Sequence, residues 1–109
     1  MSERVKKINE VIKKELSLLI SKEVDFQSEV IATVTNVETS KDLCQAKIFV
    51  SVFPTERLVF VLKILNKNAY ILHKALNKKM FIRRIPKLIF QEEKRGQQGL
   101  RINQILDQL

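Results

Sequence analysis

The chain has 109 residues, enough for one domain with a thin two-layer core and too few for two ordinary domains. Hydrophobic residues at 45% and charged residues at 29% give a globular balance, and 2 Gly with 2 Pro leave little for linkers or low-complexity tails. The net charge is +8, the longest apolar run (Leu58 to Leu62) is far short of a membrane span, and Cys44 alone can form neither an internal disulfide nor a zinc site.

The N-terminus, Met1-Ser2-Glu3-Arg4, leads into a charged segment instead of an apolar signal region, so the chain reads as cytoplasmic. From Ser2 to about Lys22 the apolar positions Val5, Ile8, Ile12, Leu16 and Leu19 step by 3, 4, 4 and 3, which predicts an amphipathic helix. Ser2 can cap it, and Glu3 complements its positive end. Lys6, Lys7, Lys13 and Lys14 lie off the stripe; Glu10 and Glu15 offset them, and this face reads as solvated.

Residues 25–29 are polar and predict a connection. Val30 to Val37 is rich in β-branched residues and predicts a strand, followed by turn chemistry at Thr39-Ser40-Lys41-Asp42. Cys44, Ala46, Ile48, Val50 and Val52 then alternate with Gln45, Lys47, Phe49, Ser51 and Phe53. That predicts a second strand, paired with the first as an antiparallel hairpin. In this register Cys44 is a buried structural thiol, while Phe49 and Phe53 fall on the polar side. Pro54 ends the strand and Thr55 can cap the next helix.

From Glu56 to Met80 the helical period returns through Leu58, Leu62, Leu65, Ala69, Leu72, Leu76 and Met80. Lys63, Lys67, Lys74 and Lys78 fall within about 60° of one another on the opposite side of an ideal helix. Asn66-Lys67-Asn68 interrupts the good helix formers, so a bend there divides the lysines into two patches. Pro86-Lys87-Leu88-Ile89-Phe90 predicts an edge strand. Gln91 to Gly99 reads as a polar loop, and Ile102, Ile105, Leu106 and Leu109 as a last short helix. The order α-β-β-α(α)-β-α predicts an α+β domain over residues 1–109, with helices on one face of a three-stranded sheet.

Charge is unevenly placed. Between Arg57 and Gln91 lie nine basic residues (Arg57, Lys63, Lys67, Lys74, Lys78, Lys79, Arg83, Arg84 and Lys87) and no Asp or Glu. The rest of the chain sums to −1. Solubilising charge mixes its signs, so this asymmetry points to a polyanionic partner. Lysines and arginines neutralise phosphates without reading bases, which suits folded RNA recognised by shape and backbone.

Catalysis has little support. His73 is the only imidazole, beside Lys74 on a helix, and reads as a surface or RNA-facing side chain. Glu92-Glu93 is a loop acid pair, and no Gly-rich phosphate loop occurs. The expectation is a non-enzyme without cofactor or metal. It is also a monomer, since a basic face repels its own copy.

Two segments resemble the ribosome-binding factor A family. One runs from Val34 to Ser51 and carries Val37-Glu38-Thr39-Ser40-Lys41-Asp42-Leu43 and Ala46-Lys47-Ile48-Phe49-Val50. The other is Arg83-Arg84-Ile85-Pro86-Lys87-Leu88-Ile89-Phe90. The resemblance implies a type II KH-like domain with a kinked helix. It implies a maturation factor that binds 16S rRNA on the free 30S subunit, promotes late folding and processing, and leaves before translation. A structural ribosomal protein and a general KH-like nucleic-acid binder are the alternatives. The family lacks the Gly-x-x-Gly loop of ordinary KH modules and usually carries Ala-x-Gly at the kink. Here Asn68-Ala69-Tyr70 stands there, with Tyr in the place of Gly.

Overall fold

The computed structural model describes residues 3–27, 29–80 and 85–93. Helix α1 (Glu3–Glu23) is followed by strands β1 (Ile31–Thr39) and β2 (Gln45–Phe53). A single 3-10 turn, Thr55–Arg57, leads into α2 (Leu58–Lys67) and α3 (Ala69–Lys79), and β3 (Lys87–Glu92) closes the sheet. Ser2, Arg83, Arg84, the Gly96–Gly99 loop and the expected C-terminal helix lie outside the described residues.

The sheet order is β1-β2-β3. β1 and β2 pair antiparallel across a short turn, while β3 lies parallel to β2, with Ala46 opposite Leu88 and Ile48 opposite Phe90. A parallel neighbour requires a long crossover, which the α2–α3 pair supplies. Central β2 turns Ala46, Ile48 and Val50 into the core, all fully buried. Ile12 and Leu16 of α1, Val61 and Leu65 of α2, and Leu72 and Leu76 of α3 meet them in one hydrophobic cluster.

The stripe of α1 is realised, with Ile20 joining Ile8, Ile12, Leu16 and Leu19 inside. In α2 the buried face is rotated from the leucine pattern. Val61 and Leu65 are fully buried, whereas Leu58 and Leu62 only pack on the core's margin. The 58–62 run is apolar on every side, so its period alone does not select a face. Thr55 does not cap: neither the 3-10 turn nor α2 has a side-chain cap bond, and the turn is closed by Arg57 N–H donating to Pro54 O at 3.0 Å.

β1 carries a bulge between Val34 and Asn36. Plain alternation from Val34 would send Asn36 and Glu38 inward. The extra residue, Thr35, resets the phase so that Val37 and Thr39 face the core instead. Thr35 Oγ1 donates to Phe49 O across the bulge at 3.1 Å. Buried Thr39 is bonded through both its N–H and its hydroxyl to Asn9 Oδ1 of α1, tying β1 to the first helix.

One residue of β2 and one just before it depart from the sequence reading. Phe49 is on the sheet face away from the helices, yet it is buried. It sits mid-strand with Asn36 and Gln91 as register partners on either side, so neighbouring strands flank it. Phe53, at the strand end, stays 69% exposed as the polar-side position implies. Cys44 is exposed, because it precedes β2 and belongs to the turn.

That turn explains the Ser-Lys-Asp-Leu signature. Leu43 N–H donates to Ser40 O at 2.9 Å, and Leu43 adopts a left-handed φ of 61°. Asp42 Oδ1 accepts from the Ser40 hydroxyl (2.6 Å) and from Cys44 N–H (3.0 Å), and the Gln45 N–H donates to Ser40 Oγ at 3.2 Å. These bonds, the Ser40 hydroxyl first, hold the Asp42 carboxyl below the ordinary carboxylate range. The signature is a turn lock.

Candidate nucleic-acid interface

The bend expected in the long helical segment is made by Asn68. Its φ of −97° and ψ of 7° leave the α-helical region. Its N–H reaches Ile64 O (3.0 Å) and Leu65 O (3.2 Å), and its side-chain amide also donates to Ile64 O at 2.8 Å. Asn68 O in turn accepts from Leu72 N–H at 3.0 Å, which starts α3. One side chain thus closes α2 and its backbone opens α3, with no glycine needed.

Lys63 and Lys67 on α2, and Lys74, Lys78 and Lys79 on α3, are all exposed, as are Arg57 and Lys87. On each helix the Lys63/Lys67 or Lys74/Lys78 pair lies across the axis from the buried residues, and the break at Asn68 divides the pairs. The Arg57 guanidinium lies 5.7 Å from the centre of the Phe60 ring, within cation–π range. At the C-terminal end of α3, Lys78 and Lys79 also complement the negative pole of the helix.

Helix α3 runs between two grooves. On its α1 side a groove of about 360 Å³ is lined by Lys22, Lys74, Lys78 and Lys79, with Ile71 and, among the described residues, a single carboxylate, Glu23. Lys22 is not one of the nine basic candidates. Its sequence signal is weak but present: a cation three residues after the buried Leu19, in the last turn of α1.

On the other side, a larger groove of about 610 Å³ opens between the start of α3 and the start of β3. Ala69, Tyr70 and His73 face Cys44, Ile85, Lys87 and Leu88 across it. His73, expected as a surface or RNA-facing side chain, is half-buried and lines this groove. Its Nε2 lies 2.9 Å from Ile85 O, and since a carbonyl only accepts, Nε2 carries the proton there. Tyr70 is 75% exposed, so the residue in the place of glycine does not pack into the bend.

A second helix-to-strand tie lies farther along β3. The side-chain amide of Asn66 donates to Phe90 O at 3.1 Å and accepts from Phe90 N–H at 3.0 Å. It occupies one rung of the edge that β3 turns away from β2. Glu92 belongs to β3 and not to the expected loop. Among the described residues, no group of three or more His, Cys, Asp or Glu side chains could hold a metal ion, and no helix is long and apolar enough to cross a membrane.

The matching family model is described as ribosome-binding factor A and spans residues 4–106. The ribosome-binding factor A of Desulforamulus reducens is 34% identical over 110 residues, covering 100% of this chain and 92% of that protein. The crystal structure of ribosome-binding factor A from Thermus thermophilus superposes with a TM-score of 0.71 at 26% identity, covering 81% of this chain and 93% of that one. A Thermus thermophilus homology model, fitted into the cryo-EM map of a 30S complex with the factor, gives a TM-score of 0.64 at 28% identity, covering 78% and 89%. These structures are KH-like, and the α+β arrangement described above is the same fold. From the first helix through β3, the chain belongs to the ribosome-binding factor A family.

Proposed function

We propose that this chain is a maturation factor for the small ribosomal subunit. It binds 16S rRNA on the free 30S particle as a single-domain monomer in the cytoplasm, promotes late folding and end processing, and dissociates before translation. The observation that carries the reading is the likeness to a Thermus thermophilus factor placed in a 30S complex, at 28% identity and a TM-score of 0.64. The acid-free basic segment supports it independently. Arg57, Lys63, Lys67, Lys74, Lys78, Lys79 and Lys87 stand exposed to meet phosphates, and Arg83 and Arg84 continue the segment in sequence.

The mechanism is conformational. A ligand that favours one rRNA arrangement shifts the population toward it by its difference in affinity for the two arrangements. No bond is made or broken, and no cofactor takes part. Sedimentation of cell extracts tests the role. The tagged chain should travel with free small subunits and be missing from polysomes. Persistence in polysomes would make it a structural ribosomal protein, and absence from both would remove the ribosome from the reading.

A further inference from the structure

We infer that the flank where α1 packs beside α3 docks an acidic amphipathic helix of a protein partner. The apolar side of that helix lies on Leu18 and Ile71, and its carboxylates meet the surrounding lysines. The inference goes beyond the rRNA-binding reading above and does not depend on it.

Large apolar side chains exposed singly are ordinary, whereas a row of them marks a contact surface. Val11 is 44% exposed, Leu18 57% and Ile71 50%. On α1, Val11, Leu18 and Lys22 step by 7 and 4, which puts them on one side of the helix. Asn9 lies about 140° round the helix from Lys22 and turns to Thr39 of β1, while Lys22 lines the groove with α3. The row therefore faces α3. From α3, Ile71 lines the same groove, with buried Leu19 and half-buried Ala75 beneath it.

The charge around this apolar row is of one sign. Lys22, Lys74, Lys78 and Lys79 rim the groove, and among the described residues none of the four is held in an ion pair. Glu23 is the carboxylate lining the groove among the described residues, and half-buried Glu15 lies farther along the same side of α1. Four cations against two acids leave the flank positive. A ribose-phosphate chain would meet the lysines and leave Leu18 and Ile71 in water. An amphipathic helix covers both, with apolar anchors at i, i+4 and i+7 on the row and acidic residues on either side reaching the lysines. From Ile71 to Lys78, α3 rises about 10 Å, or two turns, which matches the reach of such anchors.

The test uses a designed, end-blocked peptide of about 15 residues, long enough to hold a helix, with leucines at i, i+4 and i+7 flanked by glutamates. A second peptide of the same composition has the leucine stripe scrambled. Each is titrated with the full chain and followed by fluorescence anisotropy, with a short RNA duplex measured in parallel. The striped peptide should bind at least about fivefold more tightly than the scrambled one. Ile71→Ser should remove that difference and leave duplex binding within about twofold, whereas Lys22→Glu should weaken both peptides. Ile71 and Lys22 are exposed, so both variants should keep the wild-type melting temperature. Equal binding of the two peptides would show attraction by charge alone and overturn the docking flank. Loss of duplex binding in Ile71→Ser to the same extent as striped-peptide binding would give the flank to RNA and overturn it too.

Discussion

Asn66 shows how much one polar side chain can do at a sheet edge. Its amide makes the two bonds to Phe90 that a neighbouring strand would otherwise make. An open edge also invites another chain to pair with it, so the contact both holds α2 to β3 and closes part of that edge. Asn66→Ala removes both bonds. Each is worth roughly 0.5–1.5 kcal/mol, and water can reach the site, so a total loss of about 1–2 kcal/mol is expected. In a domain of this size each kcal/mol lowers the melting temperature by about 4–8 °C. Thermal unfolding followed by circular dichroism measures it, and an unchanged midpoint would show that solvent replaces the amide without loss. The residue identity gave no hint of this role, because an asparagine near a helix end reads first as a breaker. Asn68 is that breaker, and the sequence marked it; Asn66, two residues earlier, is a strand partner that only the packing of α2 on β3 reveals.

At the scale of elements, the periods of 3.6 and 2 carried most of the information. The helical stripes of α1 and α3 and the alternation of β2 were legible because their polar and apolar residues segregate cleanly. Two places defeated that logic. α2 is apolar around its first turns, so no polar contrast in the sequence separates Leu58 and Leu62 from Val61 as its inner face. In β1 the bulge at Thr35 breaks the period of 2 in mid-strand, and no local residue signals it. A direct consequence separates two leucines that looked equivalent. Leu72 is fully buried on α3, and Leu62 is half-buried on α2. Leu72→Ala should cost about 2–5 kcal/mol through lost transfer energy and a residual cavity. Leu62→Ala should cost about 1–2 kcal/mol, since much of its surface is already wet. Urea midpoints at constant m-value provide the comparison, and equal losses would place the core boundary of α2 wrongly.

For the whole molecule, the placement of charge decides how it meets a partner. The exposed lysines of α2 and α3 were legible from the sequence, because they lie opposite the buried stripe. The basic groove with Lys22 was not, since it exists only where α1 packs beside α3. If about five basic groups meet phosphates, log K for 30S binding should fall with log salt at a slope of roughly −3.5 to −4.5. Lys74→Glu with Lys78→Glu turns two attractions into repulsions. Affinity should drop at least about tenfold, or 1.4 kcal/mol, while the melting temperature stays close to wild type. Lys13→Glu with Lys14→Glu, on the exposed side of α1 near Glu10, should weaken binding less. Greater damage from the α1 pair, with both variants folded, would move the interface to the far end of the helical layer.

The bulge in β1 also bears on how this chain can change length. Thr35 and Asn36 together stand opposite the single residue Phe49, and on either side of them the two strands are in step. Removing Thr35 would leave Val34 facing Val50, Asn36 facing Phe49 and Val37 facing Ile48, which is an unbroken ladder with every side chain on its present face. A one-residue deletion inside a strand ordinarily turns half of it inside out. Here the sheet holds a spare residue, so a shorter chain could arise at this point without inverting the core.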